Sequence, residues 1–257
     1  MYTYLDVSED HRVVCININR KERLNSLGIP MGRELLRCLT GIKNRTEAYY
    51  ARTDTEDTPR VVLISATTVQ SNWIAGGDLK ELSDLNAIEV HGYVQLWSEI
   101  CLLLRNLPVP TIAVVTGACL GGGVELAMSC DFRLMTEDAY FSFKQVQIGL
   151  SLGYGTTSLM TRLLGEGRAR SILLQGKTLH PKEAEVLGLV EMISSQETLR
   201  EDRDALIQRL LNLSPYGISA QKKQFETLPN SPETLTFLAN WGNPDHRTFL
   251  DRFKTKS

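Results

Sequence analysis

Apolar and polar positions fall along this chain in short blocks whose period changes, and each change marks an element. Residues 12–19 carry a β-type run, and residues 30–43 put Leu35, Leu36 and Leu39 on one face of a helix. Residues 61–66 and 111–116 are mostly apolar runs of the kind covered on both faces of a sheet. Residues 94–107 predict a helix that Pro108 and Pro110 end. Residues 44–59 are polar and finish on Thr-Asp-Thr-Glu-Asp-Thr-Pro, which predicts an exposed loop. From about residue 156 strand-type runs disappear, and helical periodicity continues to the end, broken near Pro181, Pro215, Pro229 and Pro232. Strands alternating with helices predict an α/β protein built from βαβ units, with no internal repeat.

Two breaks in this pattern carry the chemistry. Ile74-Ala75-Gly76-Gly77-Asp78-Leu79 and Gly117-Ala118-Cys119-Leu120-Gly121-Gly122-Gly123-Val124-Glu125-Leu126 each join a strand-like run to a helix-like run. Glycine in such a turn lets the backbone approach a ligand closely, and the first N–H groups of the following helix point outward. Facing each other, two such turns supply one N–H apiece to a single oxygen, which is the composition of an oxyanion hole. Glu125, three positions after Gly122, adds an acidic group beside it.

Composition narrows the class. With 257 residues, 42% hydrophobic, the chain is long enough for a full core in one large domain or a domain with a helical appendage. A net charge of −2 provides no basic field, so nucleic acid and anionic membranes are poor partners. The five cysteines are scattered through apolar runs without metal-ligand spacing, as reduced thiols of a cytoplasmic protein would be, and no metal site is expected. Neither an export signal nor a membrane-spanning run is visible.

The paired glycine stretches, with the continuation Glu125-Leu126-Ala127-Met128-Ser129-Cys130-Asp131, resemble the crotonase (enoyl-CoA hydratase/isomerase) superfamily. The likeness extends to Arg23-Leu24-Asn25-Ser26-Leu27, to the stretch from Phe141 to Gly155, and to Leu174-Gln175-Gly176-Lys177 with the run from Ala184 to Val190. It implies a crotonase-like ββα spiral core over residues 1–160 and a helical C-terminal region over 161–257 that forms a homotrimer or a dimer of trimers. It also implies an acyl-CoA thioester as substrate, or the same acyl group on an acyl-carrier protein, with coenzyme A part of the substrate and no permanently bound cofactor.

By resemblance the oxyanion donors are the amides of Gly77 and Gly122, and Glu125 is one of two catalytic carboxylates. The second belongs four residues after Phe141, where this chain has Gln145. An amide holds a water or hydroxyl but carries no proton at neutral pH. Losing one acid–base partner costs about 100- to 10,000-fold. The resemblance puts CoA contacts at Leu24, Ala75, Gly76 and Asp78, an aromatic cover at Trp241 with Phe237, and a phosphate-binding lysine at Lys256. Ser142, Phe143 and Lys144 replace the Gly-Gln-Pro usual in the family, and Tyr154 sits in the following Gly-x-Gly turn; Lys144 reads as solvated, or as a carboxylate binder if it points inward.

Several activities stay open at this point: an enoyl-CoA hydratase or isomerase, a one-carboxylate isomerase or dehydratase, an acyl-CoA decarboxylase, and a thioester-binding protein without turnover. A rival class rests on Gly149-Leu150-Ser151-Leu152-Gly153, which matches the G-x-S-x-G nucleophile elbow of serine hydrolases with Asp245-His246 downstream. It leaves the glycine pair and Glu125 without a role.

Overall fold

The computed structural model describes residues 2–50, 58–227 and 243–248. Ten strands and nine α-helices follow one another among the described residues up to 227: β1 (Leu5–Asp10), β2 (Val13–Ile18), α1 (Ile29–Tyr50), β3 (Val61–Ala66), β4 (Asn72–Ile74), α2 (Leu79–Ser83), α3 (Ala87–Asn106), β5 (Thr111–Val115), β6 (Ala118–Leu120), α4 (Gly122–Met128), β7 (Phe132–Thr136), β8 (Tyr140–Ser142), α5 (Thr156–Leu164), α6 (Glu166–Gln175), β9 (Thr178–Leu179), α7 (Pro181–Val186), β10 (Met192–Ser194), α8 (Leu199–Leu211) and α9 (Pro215–Thr227). Two sheets run through them. The larger has the order β1-β2-β3-β5-β7-β10, and the smaller β4-β6-β8-β9. Successive pairs β3/β4, β5/β6 and β7/β8 each give one strand to each sheet before helical turns intervene, so the chain winds as a ββα spiral. Pairing along the spiral is parallel, while β1–β2 and β8–β9 close the sheets antiparallel.

The mostly apolar runs are explained by what covers each face. Val61 and Leu63 of β3, Ile112 and Val114 of β5 and Leu134 of β7 pack on Leu206, Ile207 and Leu210 of α8. Their alternate neighbours Val62, Ile64, Ala113, Val115 and Met135 point into the main core between the sheets and helices α1 and α3. Each such aliphatic side chain contributes about 1.5–3 kcal/mol by leaving water.

Four expectations change. Residues 44–50 are helix, the end of α1, not loop. Thr46 is fully buried and bonds back to the Ile42 carbonyl, and Arg45 reaches both oxygens of Glu9 on β1 at 2.9 and 2.7 Å, so the polar face docks on strand and core. Residues 51–57 lie outside the described ones. Helix α3 begins at Ala87, seven residues ahead of the prediction, because Asn86 and Glu89 form a reciprocal capping box. Strands do not stop at residue 156: β9 pairs with β8 and β10 with β7, so the later part of the chain completes both sheets before its helices pack. Strand β1, mostly exposed at a sheet edge, has no counterpart in the periodicity reading.

Candidate active site

The two glycine turns meet. After β4 the chain turns at Gly76 with φ +95°, a left-handed conformation that strains any side chain. After β6 it turns at Gly121 with φ +51° and enters α4. A β-carbon on Gly76 would lie 3.2 Å from the Leu120 carbonyl oxygen and 3.9 Å from the Gly122 nitrogen, so the two backbones are in contact. The first turn is fixed by Leu27, whose N–H donates to the Gly76 carbonyl at 2.7 Å and whose carbonyl accepts from Asp78 at 3.1 Å. The second is fixed by Gly121 N–H, which donates to the Ser142 carbonyl of β8 at 2.8 Å. Among the described residues the amides of Gly77 and Gly122 have no hydrogen-bond acceptor.

Glu125 sits in the first turn of α4 and is buried. Its carboxylate accepts three hydrogen bonds: the Tyr154 N–H donates to Oε2 at 2.9 Å, the Gly153 N–H to Oε1 at 3.2 Å, and Gln145 Nε2 to Oε1 at 3.3 Å. Burial pushes this carboxyl above the usual glutamate range, and the Tyr154 and Gly153 amides and Gln145 offset part of that rise. No cation lies within ion-pair distance among the described residues. Gln145 stands in the short 3-10 turn Lys144–Ile148 after β8, and the nearest approach to a β-carbon on Gly121 would be its amide at 3.8 Å. Its Oε1 is buried without a partner. The cluster thus contains one group able to exchange a proton, one amide with an unused acceptor, and two unengaged backbone donors.

The remaining predicted residues separate into two sets. Leu24, Ala75, Gly76 and Asp78 lie together along the first turn, with the Leu24 carbonyl accepting the Ala75 N–H at 3.2 Å. Within that set Asp78 is architectural. It is buried, caps α2 by accepting the Glu81 N–H at 3.1 Å, and lies 2.8 Å from Arg20 Nη2. Burial acts to raise its carboxyl, but the Glu81 amide and the Arg20 charge outweigh it and hold it below the usual aspartate range. Trp241, Phe237 and Lys256 fall outside the described residues. Lys144 is exposed. Ser151 is exposed in the loop between the 3-10 turn and α5, so it follows no strand and the elbow geometry is not formed. Asp245 and His246 lie in the described segment 243–248.

Two groups went unforeseen. Arg20 and Asn25 brace the first turn from below: Asn25 Nδ2 donates to the Trp73 carbonyl at 3.0 Å and its Oδ1 accepts the Arg20 N–H at 2.9 Å. Tyr93 and Trp97 of α3 meet Tyr154 under the glycines. Tyr93 stands just ahead of the helix that periodicity predicts and gave no signal of its own.

A double turn of this kind around a buried carboxylate, on a ββα spiral, defines a crotonase-fold enzyme. The chain belongs to the enoyl-CoA hydratase/isomerase family, whose profile matches residues 8–240. Among similar proteins, a short-chain-enoyl-CoA hydratase of Clostridium acetobutylicum is 28% identical over 84% of this chain and 78% of its own length. A mitochondrial methylglutaconyl-CoA hydratase of Pyricularia oryzae is 35% identical over 79% of this chain and 65% of its own. The crystal structure of an enoyl-CoA hydratase from Bacillus anthracis superposes with a TM-score of 0.86 at 27% identity, covering 99% of this chain and 97% of that one. No described helix is long and apolar enough to cross a membrane.

Proposed function

We propose that this protein transforms an acyl-CoA thioester through an enolate whose oxygen is held by the Gly77 and Gly122 amides, with Glu125 as the single proton carrier. The observation that carries this reading is the Glu125–Gln145 contact at 3.3 Å: one carboxylate and one amide share the place beside the turns. Proton removal next to the carbonyl moves negative charge onto the thioester oxygen, and each preorganised donor is worth roughly 3–4 kcal/mol there. Burial keeps Glu125 a stronger base than an exposed carboxylate, which suits it to take a carbon-bound proton and return it.

A shift of the double bond between β,γ- and α,β-enoyl positions needs only that one group. Hydration or dehydration is the second reading, favoured by the unused Gln145 Oε1, which would accept from the water or hydroxyl involved. Decarboxylation fits less well, because the leaving carboxylate would face Glu125 with no cation between them. The exposed Leu163, Leu174, Val186 and Phe225 on α5, α6, α7 and α9 support assembly into a trimer or pair of trimers, to be read by sedimentation. The reading is tested by isothermal titration with crotonyl-CoA, followed by product analysis on α,β- and β,γ-enoyl-CoA. Binding with isomerised or hydrated product is expected; no binding up to millimolar thioester would reject it.

A further inference from the structure

We infer that Tyr154, locked in place by Tyr93 and Trp97, is the wall that restricts the acyl group to a short chain of about crotonyl size. The inference rests on the thioester reading above and names the substrate class within it. Tyr154 spans the site. Its backbone N–H holds Glu125 at 2.9 Å, while its ring reaches Gly122, where a β-carbon would come within 3.0 Å of Cε2 and 3.3 Å of the hydroxyl oxygen. An acyl group with its carbonyl oxygen at the Gly122 amide and its α-carbon at Glu125 must pass along this side chain. Tyr93 continues the wall to the other turn, its hydroxyl 2.9 Å from where a β-carbon on Gly77 would sit.

The wall is braced on every side. The two hydroxyls are 2.7 Å apart, and Tyr93 lies 3.1 Å from the Leu27 carbonyl. A carbonyl only accepts, so Tyr93 spends its one hydrogen on Leu27, and Tyr154 donates to Tyr93; any other assignment leaves a buried O–H unpaired. Trp97 stacks on the Tyr154 ring at 6.3 Å with planes 28° apart. All three side chains are buried, at 6% exposure or less. Swinging Tyr154 aside for a longer chain would break the hydroxyl chain and the stack together. Burial pushes both phenols up, so neither exchanges protons in the working range and their part is steric.

The test is titration of the wild type with butyryl-CoA and decanoyl-CoA, repeated with Tyr154→Ala, Tyr154→Leu and Tyr154→Phe. The wild type should bind butyryl-CoA at least about tenfold more tightly than decanoyl-CoA, following the unfavourable rearrangement that the longer chain imposes. Tyr154→Ala or Tyr154→Leu should erase that preference, whereas Tyr154→Phe, which keeps the ring, should retain most of it. Equal wild-type affinity for the two thioesters, or a preference unchanged in the folded small-residue variants, would overturn the inference while leaving the thioester reading intact. Failure of both thioesters to bind would overturn both.

Discussion

Asp78 and Glu125 each follow a glycine turn, each is buried, and each accepts backbone N–H groups, yet only Asp78 has a cation beside it. The Glu81 amide and the Arg20 charge together hold Asp78 below the usual aspartate range, and Arg20 fixes it as a brace beneath the first turn. Glu125 has amide donors alone, and burial leaves it above the normal range. The difference shows how the same residue class becomes structural or reactive. At Asp78 the Glu81 amide and the Arg20 charge outweigh burial, whereas at Glu125 burial outweighs the neutral donors.

Removing the reactive member should have the larger consequence. Glu125→Gln is expected to lower turnover by about 100- to 10,000-fold while the dissociation constant for the thioester changes by about threefold or less, since shape and the Gly122 amide remain. Steady-state rates beside isothermal titration check it; turnover near wild type would make the contrast with Asp78 meaningless.

Removing the counter-ion of the structural member comes next. Arg20→Met strands Asp78 as a buried charge, a loss of about 3–5 kcal/mol. For a chain of this size that corresponds to a fall in melting temperature of roughly 6–20 °C. Calorimetry showing a change of about a degree would mean the pair is not the brace described.

The smallest effect is the most diagnostic, because its sign differs between the two. Glu125, raised in the fold, contributes most to stability below the ordinary glutamate range and less as pH rises through its folded value. Asp78, lowered, contributes above the ordinary aspartate range and loses that as pH falls through its folded value. The melting temperature of Glu125→Gln relative to wild type should therefore be higher near pH 7 than near about pH 4, and that of Asp78→Asn lower near pH 7 than near about pH 3, each by a few degrees per about 1 kcal/mol. Parallel shifts in both variants would contradict the assignment.

Much of the candidate site was legible in the sequence because it is built from short local stretches, although turn-making and helix-dipole roles also suit the same residue types. Paired glycines, a glutamate in the next helix turn and the glutamine at the second position are local features, and the fold brings them into contact. The strands β9 and β10 were not legible: two and three residues carry no periodicity, and only pairing with distant β8 and β7 makes them strands. The end of α1 was hidden because Arg45 and Thr46 look like loop residues until Glu9 and the core meet them. The start of α3 was written in Asn86 and Glu89 but stands outside the apolar stripe. Tyr93 and Tyr154 are 61 residues apart, and nothing local announces that their hydroxyls touch.

The central claim is that Gln145 leaves Glu125 as the only proton carrier, and Gln145→Glu tests it most directly. The rate of crotonyl-CoA hydration should rise by about 100-fold or more in the variant, because the second acid–base group is restored beside the first. A wild-type rate already equal to that of a two-glutamate family member, with no gain from Gln145→Glu, would contradict the account.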